Sequence, residues 1–172
     1  MEADSRREKI LHMISRSGSP VSASSLAKDF NVSRQIVVGD VALLRAQGNE
    51  IIATARGYMI PGYKETNRYI GKTVCRHAPE DTKTELYTIV DSGAVVVNII
   101  VDHEIYGEIT GSLNLTGRND VDIFMKKVET SENKLLSELT KGIHLHTIAC
   151  YDKEHFEKVC LTLKDKGFLY RS

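Results

Sequence analysis

Cysteine, long apolar runs and net charge are all scarce in this 172-residue chain. Three cysteines are an odd number and too few for a disulfide scaffold, which points to a reducing cytoplasm. No apolar run approaches the ~20 residues that a membrane helix needs. The opening MEADSRREKI is charged and has no apolar signal core, so neither a membrane protein nor a secreted one is expected. Lys plus Arg equals Asp plus Glu at 23 each, but the balance is uneven along the chain. Residues 1–64 hold nine basic against six acidic side chains, and residues 65–172 hold fourteen against seventeen. An acidic partner would meet the first part, although ordinary surface scatter also produces an imbalance of this size. With 41% hydrophobic and 27% charged residues the chain is globular, not disordered, and its length allows one large domain or two small ones.

In residues 5–16, SRREKILHMISR, Ile10, Met13 and Ile14 form one helical stripe with Leu11 beside it. Ser17-Gly18-Ser19-Pro20 stops that helix. A second helix opens at Ser22 or Ser24 and runs to Phe30, and Asn31-Val32 is a short turn. Ser33 is a good N-cap, because its hydroxyl can accept an orphan backbone N–H. The third helix, RQIVVGDVALLRAQG, places Ile36, Val37, Val41 and Leu44 at core spacing and ends at Gly48. This is the helix-turn-helix arrangement. Glu50–Thr54, a turn at Arg56-Gly57 and Tyr58–Ile60 then predict a β-hairpin, or wing. NVSRQ, DVALLRAQG and IIATARGYMI together resemble a winged-helix domain of the biotin-repressor type. Such a domain puts the start of its third helix at base edges in the major groove of duplex operator DNA. Ser33, Arg34 and Gln35 occupy that start, and Arg and Gln suit bidentate contact with guanine and adenine. Arg45 and Arg56 are candidates for phosphate or minor-groove contacts; all three arginines could also be plain surface charge. Gly39 departs from the pattern, since related domains carry a polar or basic residue there. It costs about 1 kcal/mol of helix propensity and alters what the helix offers to DNA.

Pro61-Gly62-Tyr63 breaks the pattern, and 61–70 reads as a connection between domains at 1–62 and 63–172. Beyond it the chain predicts a strand at Lys72–His77, a helix from Pro79 to Ser92 and a buried strand at Ala94–Val101. A turn at Asp102–Gly107 leads to a strand at Glu108–Leu115 and a helix at Asn119–Ser131. A strand at Ile143–Cys150, a helix at Lys153–Lys166 and a short strand at Phe168–Tyr170 complete it. The order β-α-β-β-α-β is the split βαβ signature of ferredoxin-like α+β domains, with one helix and one strand added. The fold class expected is α+β: a winged helix-turn-helix followed by this second domain.

Six histidines are present. His12 and His155 read as surface or packing residues. In His144-Leu145-His146 both imidazoles project from one face of a strand, a ready bidentate site for a borderline transition metal. Two hydrogen-bonded histidines on an edge strand would look the same. His77 ends the first strand, and Glu85 follows eight residues later on a helix. If the first and last long strands adjoin, both converge on the histidine pair, and three nitrogens with one carboxylate suit Zn, Ni, Co or Mn, not Ca or Mg. Cys75 shares a strand face with His77 and is a rival ligand; Cys150 and Cys160 read as small core residues.

VCRHAPEDTKTELYTIVDSG, VDHEIYGEITGSLNLTGR and GIHLHTI resemble the three-histidine domain found behind a winged helix in niacin-responsive transcriptional repressors of Gram-positive bacteria and Thermotoga-like species. The resemblance spans about residues 5–170. It implies a homodimeric, non-enzymatic repressor of niacin-uptake and NAD-synthesis genes. It further implies nicotinic acid as the effector and a divalent transition metal, Ni or Zn foremost, held by His77, Glu85, His144 and His146. For the nicotinate carboxylate the candidates are Arg118, at a helix N-terminus, then Arg76. His103 is a candidate pocket residue, although it stands in a turn where family members carry His-Pro and this chain has Glu104. Surface roles for the two arginines, and a dimer contact for His103, remain alternatives. A metal-responsive regulator, in which the ion itself is the signal, is the alternative function.

Overall fold

A computed structural model describes residues 3–61 and 68–170. The domain boundary expected at 62/63, and residues 62–67 of the expected connection, lie outside them. The chain divides into two compact units, 1–65 and 66–172.

The first unit contains α1 (Ala3–Arg16), α2 (Ala23–Asp29), α3 (Arg34–Ala46), β1 (Ile52–Thr54) and β2 (Gly57–Met59). Ser22 and Ser33 cap α2 and α3, each accepting the backbone N–H three residues on. Ile10, Ile14, Leu26, Val37, Val41 and Leu44 meet in one core. Ile36 does not join them: it is 43% exposed, and Val37 takes the inward position. The side of α3 next to Val37 instead buries Asp40, which holds Arg6 through two hydrogen bonds of 2.6 and 3.2 Å. This bridge ties α1 to α3. The wing turn is Ala55-Arg56, one residue earlier than expected, and Gly57 already belongs to β2. The reason is Val21, which bonds Tyr58 in both directions at 2.8 Å and adds a third chain to the hairpin. A Cβ on Gly57, whose φ is +143°, would collide with the Val21 carbonyl. Leu26 is fully buried, so Leu26→Ala is expected to destabilise this unit by about 2–5 kcal/mol, read as an earlier urea transition.

The second unit contains β3 (Tyr69–Arg76), a 3₁₀ turn (Pro79–Asp81) leading into α4 (Thr82–Val90), β4 (Val95–His103) and β5 (Gly107–Leu115). Then come α5 (Arg118–Thr130), a 3₁₀ turn (Leu136–Thr140), β6 (Ile143–Cys150) and α6 (Lys153–Asp165). The sheet order is β3-β6-β4-β5 with every neighbour antiparallel. β3, α4 and β4 therefore form a split βαβ unit with β6 inserted between its strands. The expected final strand is reduced to one bridge, Cys75 to Leu169, along the outer edge of β3. The helices cover the sheet face that carries Cys75, His144, His146 and Ile148, with Leu86, Ile89, Val121, Val159 and Leu163 buried against it. β4 has a bulge at Val97: Val96 pairs with Ile148, and Asn98 with Thr147. Among the described residues no helix is long and apolar enough to cross a membrane.

Candidate functional site

Strand parity and strand order bring the histidines together. His144 and His146 leave β6 on the helix-covered face, and neighbouring β3 places Cys75 opposite His144 with His77 just past its end. Glu85, in the first turn of α4, is 1% exposed and points its carboxylate at all three rings. Nε2 of His77 lies 2.7 Å from Oε2 of Glu85, Nε2 of His144 lies 3.1 Å from Oε1, and Nε2 of His146 lies 3.3 Å from Oε2. The other nitrogen of each ring is tied to backbone: Nδ1 donates to the carbonyl of Ala78 for His77 (2.8 Å), of Gly142 for His144 (2.8 Å) and of Asn98 for His146 (2.9 Å). A carbonyl can only accept, so Nδ1 carries the proton and each neutral ring presents its Nε2 lone pair inward. Three oriented imidazole lone pairs and one buried carboxylate make a donor set that fits a borderline divalent transition metal, with the backbone supplying the outer anchoring.

Two local features hold this arrangement. Lys141 and Gly142 both have left-handed φ, +53° and +88°, and turn the chain from the 3₁₀ turn into β6. A Cβ on Gly142 would overlap the His77 carbonyl oxygen, so glycine lets the two strand ends close up. The bulge at Val97 brings the Asn98 carbonyl to His146, while the Asn98 side chain accepts from Thr147 N–H at 3.3 Å.

Burial alone would push the Glu85 carboxyl up; the facing imidazoles outweigh it and hold the group well below the usual carboxylate range. Burial pulls His77 and His146 down, but Glu85 wins and raises both above 6.5. The stabilisation from charged histidine is complete below pH 6.5 and is lost as pH rises through the raised folded values. The Glu85 contribution is present above its ordinary 4.5 and is lost only when pH falls through the depressed value. The metal-free protein is thus expected to melt at a lower temperature at pH 8 than at pH 6. Saturating metal, which needs neutral imidazoles, is expected to reverse that order; melting curves with chelator and with excess ion check both. Cys75 Sγ lies within 4.8 Å of ligand atoms of Glu85 and His144, and these three can also hold an ion. Burial, then Glu85, pushes the Cys75 thiol up, which works against the thiolate a metal would require.

A cavity of about 310 Å³ opens over this cluster, with His77, Glu85, His144 and His146 on its floor. Leu86, Leu113, Phe124 and Leu136 give it apolar walls, and Lys127 and Lys134 stand at its side. The other three residues expected here lie elsewhere. Arg118 makes a bidentate pair with Asp91 at 2.7 Å and covers the Tyr87 ring, 4.3 Å from its centroid. Arg76 is exposed on the sheet face opposite Cys75. His103 closes the β4–β5 turn, where its Nδ1 accepts from Ile105 and Tyr106 N–H. Lys127 and Lys134 are absent from the residues expected on sequence grounds. Lys127 could have been found, because on α5 it falls one turn after Phe124; Lys134 stands in a segment with no periodicity.

In the first unit Ser33, Arg34 and Gln35 are exposed at the head of α3, and Arg56 is exposed in the wing turn. Arg45 braces the wing: its Nε donates to the Ile51 carbonyl at 2.7 Å and its guanidinium covers Tyr58.

Residues 6–59 match the HTH domain and residues 71–172 the 3H domain. The probable transcription repressor NiaR of Thermotoga maritima is 40% identical over 165 residues, which is 95% of this chain and 93% of that protein. The transcription repressor NadR of Bacillus subtilis is 36% identical over 171 residues, 96% and 93% of the two chains. A winged helix-turn-helix joined to a domain with a buried histidine cluster is thus the architecture of a DNA-binding transcription repressor, not of an enzyme. The chain belongs to the 3H-domain family.

Proposed function

We propose that this is a cytoplasmic, homodimeric repressor of niacin-uptake and NAD-synthesis genes, with nicotinic acid as co-repressor and Ni or Zn held by His77, Glu85, His144 and His146. Residues 1–62 bind operator DNA and residues 63–172 bind the metal and the effector. One observation carries the reading: three imidazoles with anchored Nδ1 atoms ring a buried carboxylate on the floor of a cavity of about 310 Å³, a volume at the small end of ligand pockets. A small flat aromatic acid fits such a space. When bound, the ion would supply a Lewis-acid position for a ring nitrogen. Lys127 and Lys134, which line the cavity, would hold the carboxylate; this assignment replaces Arg118, Arg76 and His103. The effector works by favouring the dimer geometry whose recognition helices match two half-sites a helical turn apart.

The test is anisotropy of the chain's own upstream DNA at fixed salt, with and without nicotinic acid, before and after chelation. Nicotinic acid should tighten binding, and chelation should remove that gain. If nicotinic acid does nothing while added metal changes affinity, the ion is the signal and the co-repressor assignment is wrong.

A further inference from the structure

We propose that α3 reads thymine C5-methyl groups in the major groove through Ile36 and Leu43. The inference rests on the reading that α3 enters that groove. Beyond Gln35 the exposed side of α3 consists of Ile36, Gly39, Ala42, Leu43, Arg45 and Ala46. Arg45 is committed to the Ile51 carbonyl and Tyr58. What remains has no side-chain donor or acceptor for base edges. Ile36 is 43% exposed and Leu43 51% exposed, and they stand two turns apart on one side of the helix. Exposed isoleucine and leucine on the helix that carries Arg34 and Gln35 offer an apolar contact to whatever that helix meets. In the major groove that contact is with the methyl group of thymine.

Gly39 points the same way. It lies between Ile36 and Leu43, is exposed, and has helical backbone. A Cβ there would meet nothing within 4 Å, so neither packing nor φ calls for glycine. Its propensity cost serves nothing inside the fold, but an absent side chain lets the helix axis approach a groove floor. The occupant is duplex DNA because the patch continues directly from Ser33, Arg34 and Gln35. The cationic Arg34 at the head of α3 and Arg56 in the wing turn complement phosphates.

The experiment compares the full-length repressor on its footprinted operator with duplexes in which single thymines are replaced by uracil. Uracil keeps every hydrogen-bonding edge and lacks only the methyl group. At one or two thymines per half-site the loss should be about fourfold each, the effect of one buried methyl. Ile36→Ala and Leu43→Ala should weaken binding to the thymine operator and make it insensitive to uracil at the matching position. Both residues are exposed, so an unchanged melting temperature verifies folding. A wild-type protein that binds the operator but is blind to every uracil replacement overturns this inference alone. Failure to bind the operator at all overturns the DNA-binding reading beneath it. Equal uracil sensitivity in wild type and both variants, or a change of oligomeric state in the variants without altered uracil sensitivity, also overturns it, the latter marking the patch as a contact between copies.

Discussion

Replacing Glu85 with glutamine is expected to weaken transition-metal binding by at least about 100-fold and to abolish the effect of nicotinic acid on operator affinity. The basal affinity for DNA should not change, because Glu85 lies wholly within the second unit. The size of the effect follows from geometry. Glu85 supplies the one negative charge that all three Nε2 atoms face, and it is 1% exposed. Glutamine keeps the shape but removes the charge that raises His77 and His146. Metal content after dialysis gives the first readout and DNA anisotropy the second. A companion variant separates the two possible ligand sets. Cys75→Ser should leave metal affinity within about threefold if the imidazoles hold the ion, given how strongly burial disfavours the thiolate. A large loss in Cys75→Ser with little in His146→Ala would move the site to Cys75, Glu85 and His144.

Gly142→Ala should be nearly as damaging to the site, although Gly142 offers no ligand atom from a side chain. Its φ of +88° costs a non-glycine residue about 1–3 kcal/mol. The added Cβ would also displace the His77 carbonyl, and with it the spacing between His77 and the Gly142 carbonyl that anchors His144. Metal affinity should fall about 10- to 100-fold, the range for loss of outer anchoring. Gly167→Ala is the control. Gly167 has φ +78°, but a methyl group added there would meet no atom within 4 Å, so this variant should lose stability and keep its metal affinity. Equal metal binding by the two variants would show that Gly142 is not a spacer for the site.

Much of the site is legible without coordinates. The i, i+2 spacing of His144 and His146 sets their common face, and the β-α-β-β-α-β order brings β3 beside β6. Those two steps suffice to gather His77 and Glu85. What escapes the sequence is long-range pairing. Arg118 looks like an anion receptor at a helix start until Asp91, 27 residues earlier, takes its guanidinium. Ile36 looks like core because it adjoins Val37 and is equally apolar. The choice follows Val41 and Leu44, which lie on the Val37 side at i+4 and i+7 and are buried with it. The end of the chain reads as a strand and makes one bridge, Cys75 with Leu169, through the Phe168 carbonyl and the Tyr170 N–H, while the Phe168 ring lies 5.5 Å from that of His77.

The bulge at Val97 couples strand length to the orientation of His146. Removing that one residue would make β4 more regular while keeping Asn98 opposite Thr147 and Ile99 opposite His146, so the faces would not change. Ile99 would stay in the cavity, but the Asn98 carbonyl would turn back into the ladder and away from the ring of His146, 48 residues distant in the chain. The His146 ring would then be free to flip or change tautomer. If the site holds a metal as proposed, a deletion that smooths this sheet should leave a folded repressor with weakened metal binding, so the length of β4 is tied to the chemistry of a histidine on another strand.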